Sequence, residues 1–92
     1  MTKISNEKIS RIKEEILSVV FNATPKTLFV SEISRELARD EEFIKRLLIE
    51  LQKEGIVVAI TKNSKGFNYK KRIRWRLSNK AYAAYKNLQR NR

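Results

Sequence analysis

The chain has 92 residues, with 21 lysines and arginines against 10 aspartates and glutamates, and it contains no histidine and no cysteine. That length suits one domain, since domains run from roughly 50 to 250 residues. The composition excludes disulfides and removes the usual general base, thiol nucleophile and soft metal ligands, so neither catalysis nor a cofactor is expected.

In chain order, Ile9, Ile12, Ile16, Val19 and Val20 recur at helical spacing behind Ser5 or Asn6 as N-cap, which predicts an amphipathic helix over 6–21. NATPKT, residues 22–27, ends it through Pro25. Leu28, Phe29 and Val30 form a short extended apolar run. Ser31 is the expected cap of a short second helix whose buried side is Ile33 and Leu37. ARD, residues 38–40, connects to a third helix, capped by Asp40 and started by Glu41 and Glu42, whose charges suit its positive end. Gly55 is placed to close it as a left-handed residue.

Beyond Gly55 the period changes from helical to alternating. IVVAIT reads as a β-branched strand and KNSKGFNYKK as a polar loop. RIRWRL then puts Ile73, Trp75 and Leu77 on one face and Arg72, Arg74 and Arg76 on the other. Trp75 is expected in the core, and Arg74 and Arg76 to face solvent or a binding partner. Ser78 caps a last helix with Ala81, Ala84, Tyr85 and Leu88 on one stripe. No repeat, linker or low-complexity segment divides the chain. No apolar run approaches the roughly 18 residues of a membrane span, and MTKISNEKIS lacks the apolar core of a signal peptide. A cytoplasmic protein without a membrane role is therefore expected.

The charge is unevenly distributed. Residues 1–54 carry ten basic and ten acidic side chains, whereas 55–92 hold eleven basic ones and no carboxylate, so the net +11 lies entirely in the second part. Such asymmetry points to a polyanionic partner, nucleic acid first and an anionic membrane second, with a basic face serving only solubility as the alternative. Its densest part is the loop after the first strand. There Lys62, Lys65, Lys70, Lys71 and Arg72 flank a tip where Gly66 lets the backbone approach a phosphate, and Asn63, Ser64 and Asn68 can donate hydrogen bonds. Phe67 and Tyr69 either stack near the tip or pack on the flanking strands.

At about 100° per residue, Ile44, Leu47, Leu48 and Leu51 share the buried side of the third helix, leaving Glu42, Lys45, Arg46, Ile49 and Lys53 outside. Arg46 suits a bidentate bond to guanine, Glu42 a cytosine amino group and Ile49 a thymine methyl. Each has a plainer reading. Glu42 and Arg46, four residues apart, can pair with one another on a solvated surface. Ile49 can be an ordinary exposed apolar residue, and Phe43 borders the core. Neither a P-loop nor a dinucleotide motif can be built from two glycines, Gly55 and Gly66. Adjacent acids at Asp40, Glu41 and Glu42 suit a helix start better than a hard metal.

The order helix, short strand, helix, turn, helix, hairpin, helix is that of the α+β winged helix-turn-helix. VSEISRELARDEEFIKRLLIELQKEGIV resembles the core of PadR-like and MarR-like regulators, where apolar residues such as Ile44, Leu48 and Leu51 precede a glycine and the first wing strand. WRLSNKAYAAY resembles the passage from the second wing strand into the C-terminal helix, with Ala81 where that family usually has glycine. Together these cover nearly all of 1–92 as one domain, with the helix-turn-helix at about 31–54, the wing at about 56–77 and the C-terminal helix at about 79–90. The resemblance implies double-stranded DNA as partner, the third helix in the major groove and the wing on the backbone or minor groove. It also implies a homodimer through the last helix, for which Ala81, Tyr82, Tyr85, Leu88 and Gln89 offer an apolar face.

The chain also resembles small archaeal winged-helix proteins of plasmid segregation. A lysine- and isoleucine-rich composition with few glycines is compatible with such a source. Transcriptional control and marking of a partition site both fit. RNA binding, or docking of the basic wing on a further, acidic protein partner, are the alternatives.

Overall fold

A computed structural model describes residues 5–61 and 73–90 of the chain. The Ser5 side chain accepts a hydrogen bond from the Lys8 N–H at 3.2 Å and starts helix α1, Asn6–Ala23. The helix runs two residues past the expected end. Pro25 restricts chiefly the residue before it, Thr24, which is extended, while the Thr24 hydroxyl donates back to the Val20 carbonyl at 3.1 Å.

Leu28–Phe29 form strand β1 and Val30–Leu37 helix α2. The expected cap, Ser31, lies inside α2, and Phe29 holds the cap position. Glu32 explains the shift: three residues on, its carboxylate reaches back to accept the Phe29 N–H at 2.9 Å, one half of a capping box. Ala38 ends α2 in the left-handed conformation at φ 54°, which lets the Arg39 N–H reach the Ser34 carbonyl.

Asp40 caps helix α3, Glu41–Lys53, through the Phe43 N–H at 3.1 Å. Gly55 follows at φ 77°, and the Ile56 N–H returns to the Leu51 carbonyl at 2.9 Å. Both helix-end assignments agree with the sequence reading.

Strands β2, Val57–Ile60, and β3, Arg74–Leu77, pair antiparallel with Val57 opposite Leu77 and Ile60 opposite Arg74. The wing is not an isolated two-stranded ribbon. β1 pairs with the other edge of β3, Leu28 opposite Trp75, so the sheet order is β1-β3-β2. Ser78 caps helix α4, Asn79–Arg90, by accepting from the Ala81 N–H at 3.1 Å.

The core joins Ile12, Ile16 and Val20 of α1, Ile33 of α2, all four expected residues of α3, and Leu28, Val57, Trp75 and Leu77 from the sheet. Each such side chain taken out of water contributes about 1.5–3 kcal/mol. On α4 the covered face is Ala81, Tyr82 and Tyr85, whose rings lie 5.3 Å (Tyr82) and 4.6 Å (Tyr85) from Phe21 of α1. The stripe expected from spacing divides: Ala84 is exposed and Leu88 is 68% exposed. Among the described residues no helix is long and apolar enough to cross a membrane, and no acidic cluster could hold a metal ion.

Glu32 ties this region together. The Phe29 N–H holds its carboxyl below the ordinary value of 4.5, with Lys26 and Arg74 adding to the effect and burial opposing it. A carboxylate whose folded pKa is depressed stabilises fully above its unfolded pKa, and the contribution is lost as pH falls through the folded value. Urea unfolding between about pH 6 and pH 3 is therefore expected to show a shallower acid loss for Glu32→Gln than for the unmodified chain. Equal profiles would remove Glu32 from the acid response.

Candidate nucleic-acid interface

Helix α3 is held from behind by Ile44, Leu47, Leu48 and Leu51, none more than 1% exposed. The opposite side therefore faces outward without rotational freedom. It presents Glu42, Lys45, Arg46, Ile49 and Lys53, all exposed, with Ile49 at 38%. Asp40, Glu42, Phe43, Lys45, Arg46 and Ile49 line a shallow groove of about 400 Å³ along this side. It is open and is lined by acidic, cationic and apolar groups.

Among the described residues no ion pair joins Glu42 to Arg46. The Arg46 guanidinium instead lies 5.6 Å from the Phe43 ring centre. A cation over a ring face is held weakly and keeps its N–H groups available, because attraction to the ring uses none of them. Phe43 itself is half-buried against the core, in agreement with its place at the border of the buried side.

Two acidic residues, Glu50 of α3 and Glu54 just past its end, are occupied elsewhere. Lys13 of α1 reaches Glu50 at 3.0 Å and Glu54 at 3.5 Å. The hydrogen bond to Glu50 raises the Lys13 pKa, with Glu54 adding to it and burial opposing it. Neither Lys13 nor Glu50 stands out in the sequence. Their pairing depends on how α1 crosses α3, which no local period encodes.

At the root of the wing, Arg74 and Arg76 are turned into the protein. Arg74 stacks 4.6 Å over the Phe29 ring and donates to the Thr27 hydroxyl at 3.5 Å, while Arg76 donates to the Leu77 carbonyl at 2.8 Å. Trp75 is buried as expected, its ring nitrogen without a hydrogen-bond partner. Lys62, Asn63, Ser64, Lys65, Gly66, Phe67, Asn68, Tyr69, Lys70, Lys71 and Arg72 lie outside the described residues, as does the side chain of Gln89. Of the dimer candidates, Ala81, Tyr82 and Tyr85 are half-covered by their own chain, and Leu88 is open.

No protein-family model matches the sequence, and no curated protein matches it. Solved structures do match. A protein from Ralstonia eutropha JMP134 assigned as DNA-binding aligns at TM-score 0.66 and 17% identity over 85% of this chain and 94% of that one. FabT of Streptococcus pneumoniae, solved in complex with DNA, aligns at 0.69 and 16% over 96% of this chain and 54% of that one. The PcaV transcriptional regulator of Streptomyces coelicolor, solved with its natural ligand, aligns at 0.64 and 12% over 97% and 76%. The chain thus spans nearly all of one neighbour and about half of another. At these identities the likeness shows the fold, an α+β winged helix.

Proposed function

We propose that this winged-helix chain binds double-stranded DNA site-specifically as a homodimer, with α3 in the major groove and the basic wing on the backbone or minor groove. The observation that carries the reading is α3 itself. Its rear is fixed in the core while Lys45, Arg46, Ile49 and Lys53 share the outer side, and Arg46 keeps its donors free over Phe43. A guanidinium so placed can bond both acceptors of guanine, which discriminates by about 1–3 kcal/mol against other bases.

The net charge of +11 supplies attraction to phosphate, and a structural neighbour solved with DNA supports the same use of the fold. Leu88 at 68% exposure, beside exposed Ala84, leaves α4 an apolar surface for a second copy. The biological use is transcriptional control or marking of a partition site. Cooperative extension of binding over flanking DNA distinguishes the second.

The test is selection of bound duplexes from a random pool at about 150 mM salt, where sequence-independent binding is weakened. The unmodified chain is expected to enrich an inverted repeat with half-sites about one helical turn apart. Arg46→Ala is expected to lose preference at one base per half-site, a change of about 1–3 kcal/mol, while keeping the rest of the motif. Uniform weakening would assign Arg46 to a phosphate. Absence of any enriched motif, or tighter binding to structured RNA, would overturn site-specific duplex recognition.

A further inference from the structure

On a helix surface, residues three or four apart are neighbours and pair when their charges are opposite. Glu50 stands four residues after Arg46 and three before Lys53, so it is within pairing distance of two of the three exposed cations of the outer side of α3. It pairs with neither. Its carboxylate is taken by Lys13 at 3.0 Å, and the same ammonium reaches Glu54 at 3.5 Å. The lysine side chain is only 18% exposed, whereas those of Glu50 and Glu54 are 47% and 51% exposed. A mostly covered cation on α1 therefore draws two accessible carboxylates toward the α1 side of α3.

We propose that Lys13 is a positioning residue for DNA recognition: by holding Glu50 and Glu54 against α1, it leaves Arg46 and Lys53 uncompensated and turns two negative charges away from the incoming duplex. The inference rests on the DNA-binding reading above. Without Lys13, Glu50 has Arg46 and Lys53 as its cationic neighbours along α3, and both carboxylates carry uncompensated charge beside the phosphate-facing side. Arg46 would then exchange a ring face, which uses none of its donors, for a carboxylate that occupies two.

The test uses Lys13→Met, which keeps an apolar stem and removes the charge. Affinity is measured for the duplex enriched by the unmodified chain, and thermal melting confirms that each variant is folded at the assay temperature. Lys13→Met is expected to weaken binding by about three- to tenfold at about 0.1 M salt, with the difference shrinking as salt screens the released carboxylates. The loss should include preference at the base position that Arg46 reads. Adding Glu50→Gln and Glu54→Gln to Lys13→Met should return affinity to within about twofold of the unmodified chain, although no ion pair is then left between α1 and α3.

A purely architectural clamp predicts the opposite, because the triple variant still lacks the clamp. Failure of the triple variant to recover, or Lys13→Met binding as tightly as the unmodified chain, would overturn the inference while leaving DNA binding in place. An unmodified chain that bound no duplex would remove the DNA-binding reading itself, and this inference with it.

Discussion

Trp75→Ala is expected to lower the unfolding free energy by about 3–5 kcal/mol, the cost of emptying a large aromatic site in a packed core. Trp75 is 2% exposed and stands on the central strand, opposite Leu28 on one side and Ala59 on the other. Its removal therefore loosens both strand pairs at once. Small domains have about 5–15 kcal/mol in all, and each kcal/mol shifts the melting temperature of a chain this size by about 4–8 °C. The variant should melt at least about 12 °C lower, and its urea midpoint should fall with little change in slope. Trp75→Phe supplies the contrast. It keeps most of the ring volume and removes a buried N–H that has no partner, so it should cost less than about half as much as Trp75→Ala. Equal losses for the two variants would show that ring volume is not what the site requires.

The second large effect is expected from replacing Lys70, Lys71 and Arg72 together by glutamine. Each lysine or arginine that neutralises a phosphate contributes about 0.9 to the slope of log affinity against log salt, so three such contacts should flatten it by about 2.7. At about 0.15 M salt the same term corresponds to roughly a hundredfold loss of affinity. The preferred motif should not change, because phosphate contacts position a protein and do not read bases. A motif that changed would place these residues at base edges. Unaltered affinity and slope would instead favour an acidic protein partner for the basic loop.

Much of this architecture is legible in the sequence because the responsible forces are local. Asp40, Gly55 and Ser78 each satisfy helix-end backbone groups within a few residues, and the buried side of α3 follows from spacing alone. What the sequence conceals depends on distant contacts. The cap of α2 at Phe29 rather than Ser31 follows from the reach of Glu32, backed by Lys26 and Arg74. The division of the α4 stripe follows from Phe21, which lies on a different helix and covers Tyr82 and Tyr85. Arg74 reads in sequence as a charge for solvent or DNA, and only the neighbouring strand reveals the ring on which it lies. Of the candidate interface, the outer residues of α3 are readable by periodicity, whereas the Lys13 contact is not.

The sheet order has a consequence for how sites are chosen. β3, the return strand of the wing, is laced on one edge to β2 and on the other to β1, the segment that leads directly into α2. The angle between the wing's base and the helix that precedes α3 is therefore set before any duplex arrives. Under the DNA-binding reading proposed above, the molecule would work as a fixed gauge: a duplex whose groove spacing already fits it would bind without bending, and a stiffer or wider one would carry a cost of deformation. Base pairs that touch no side chain then still affect affinity, through the shape they give the DNA between the two points of contact.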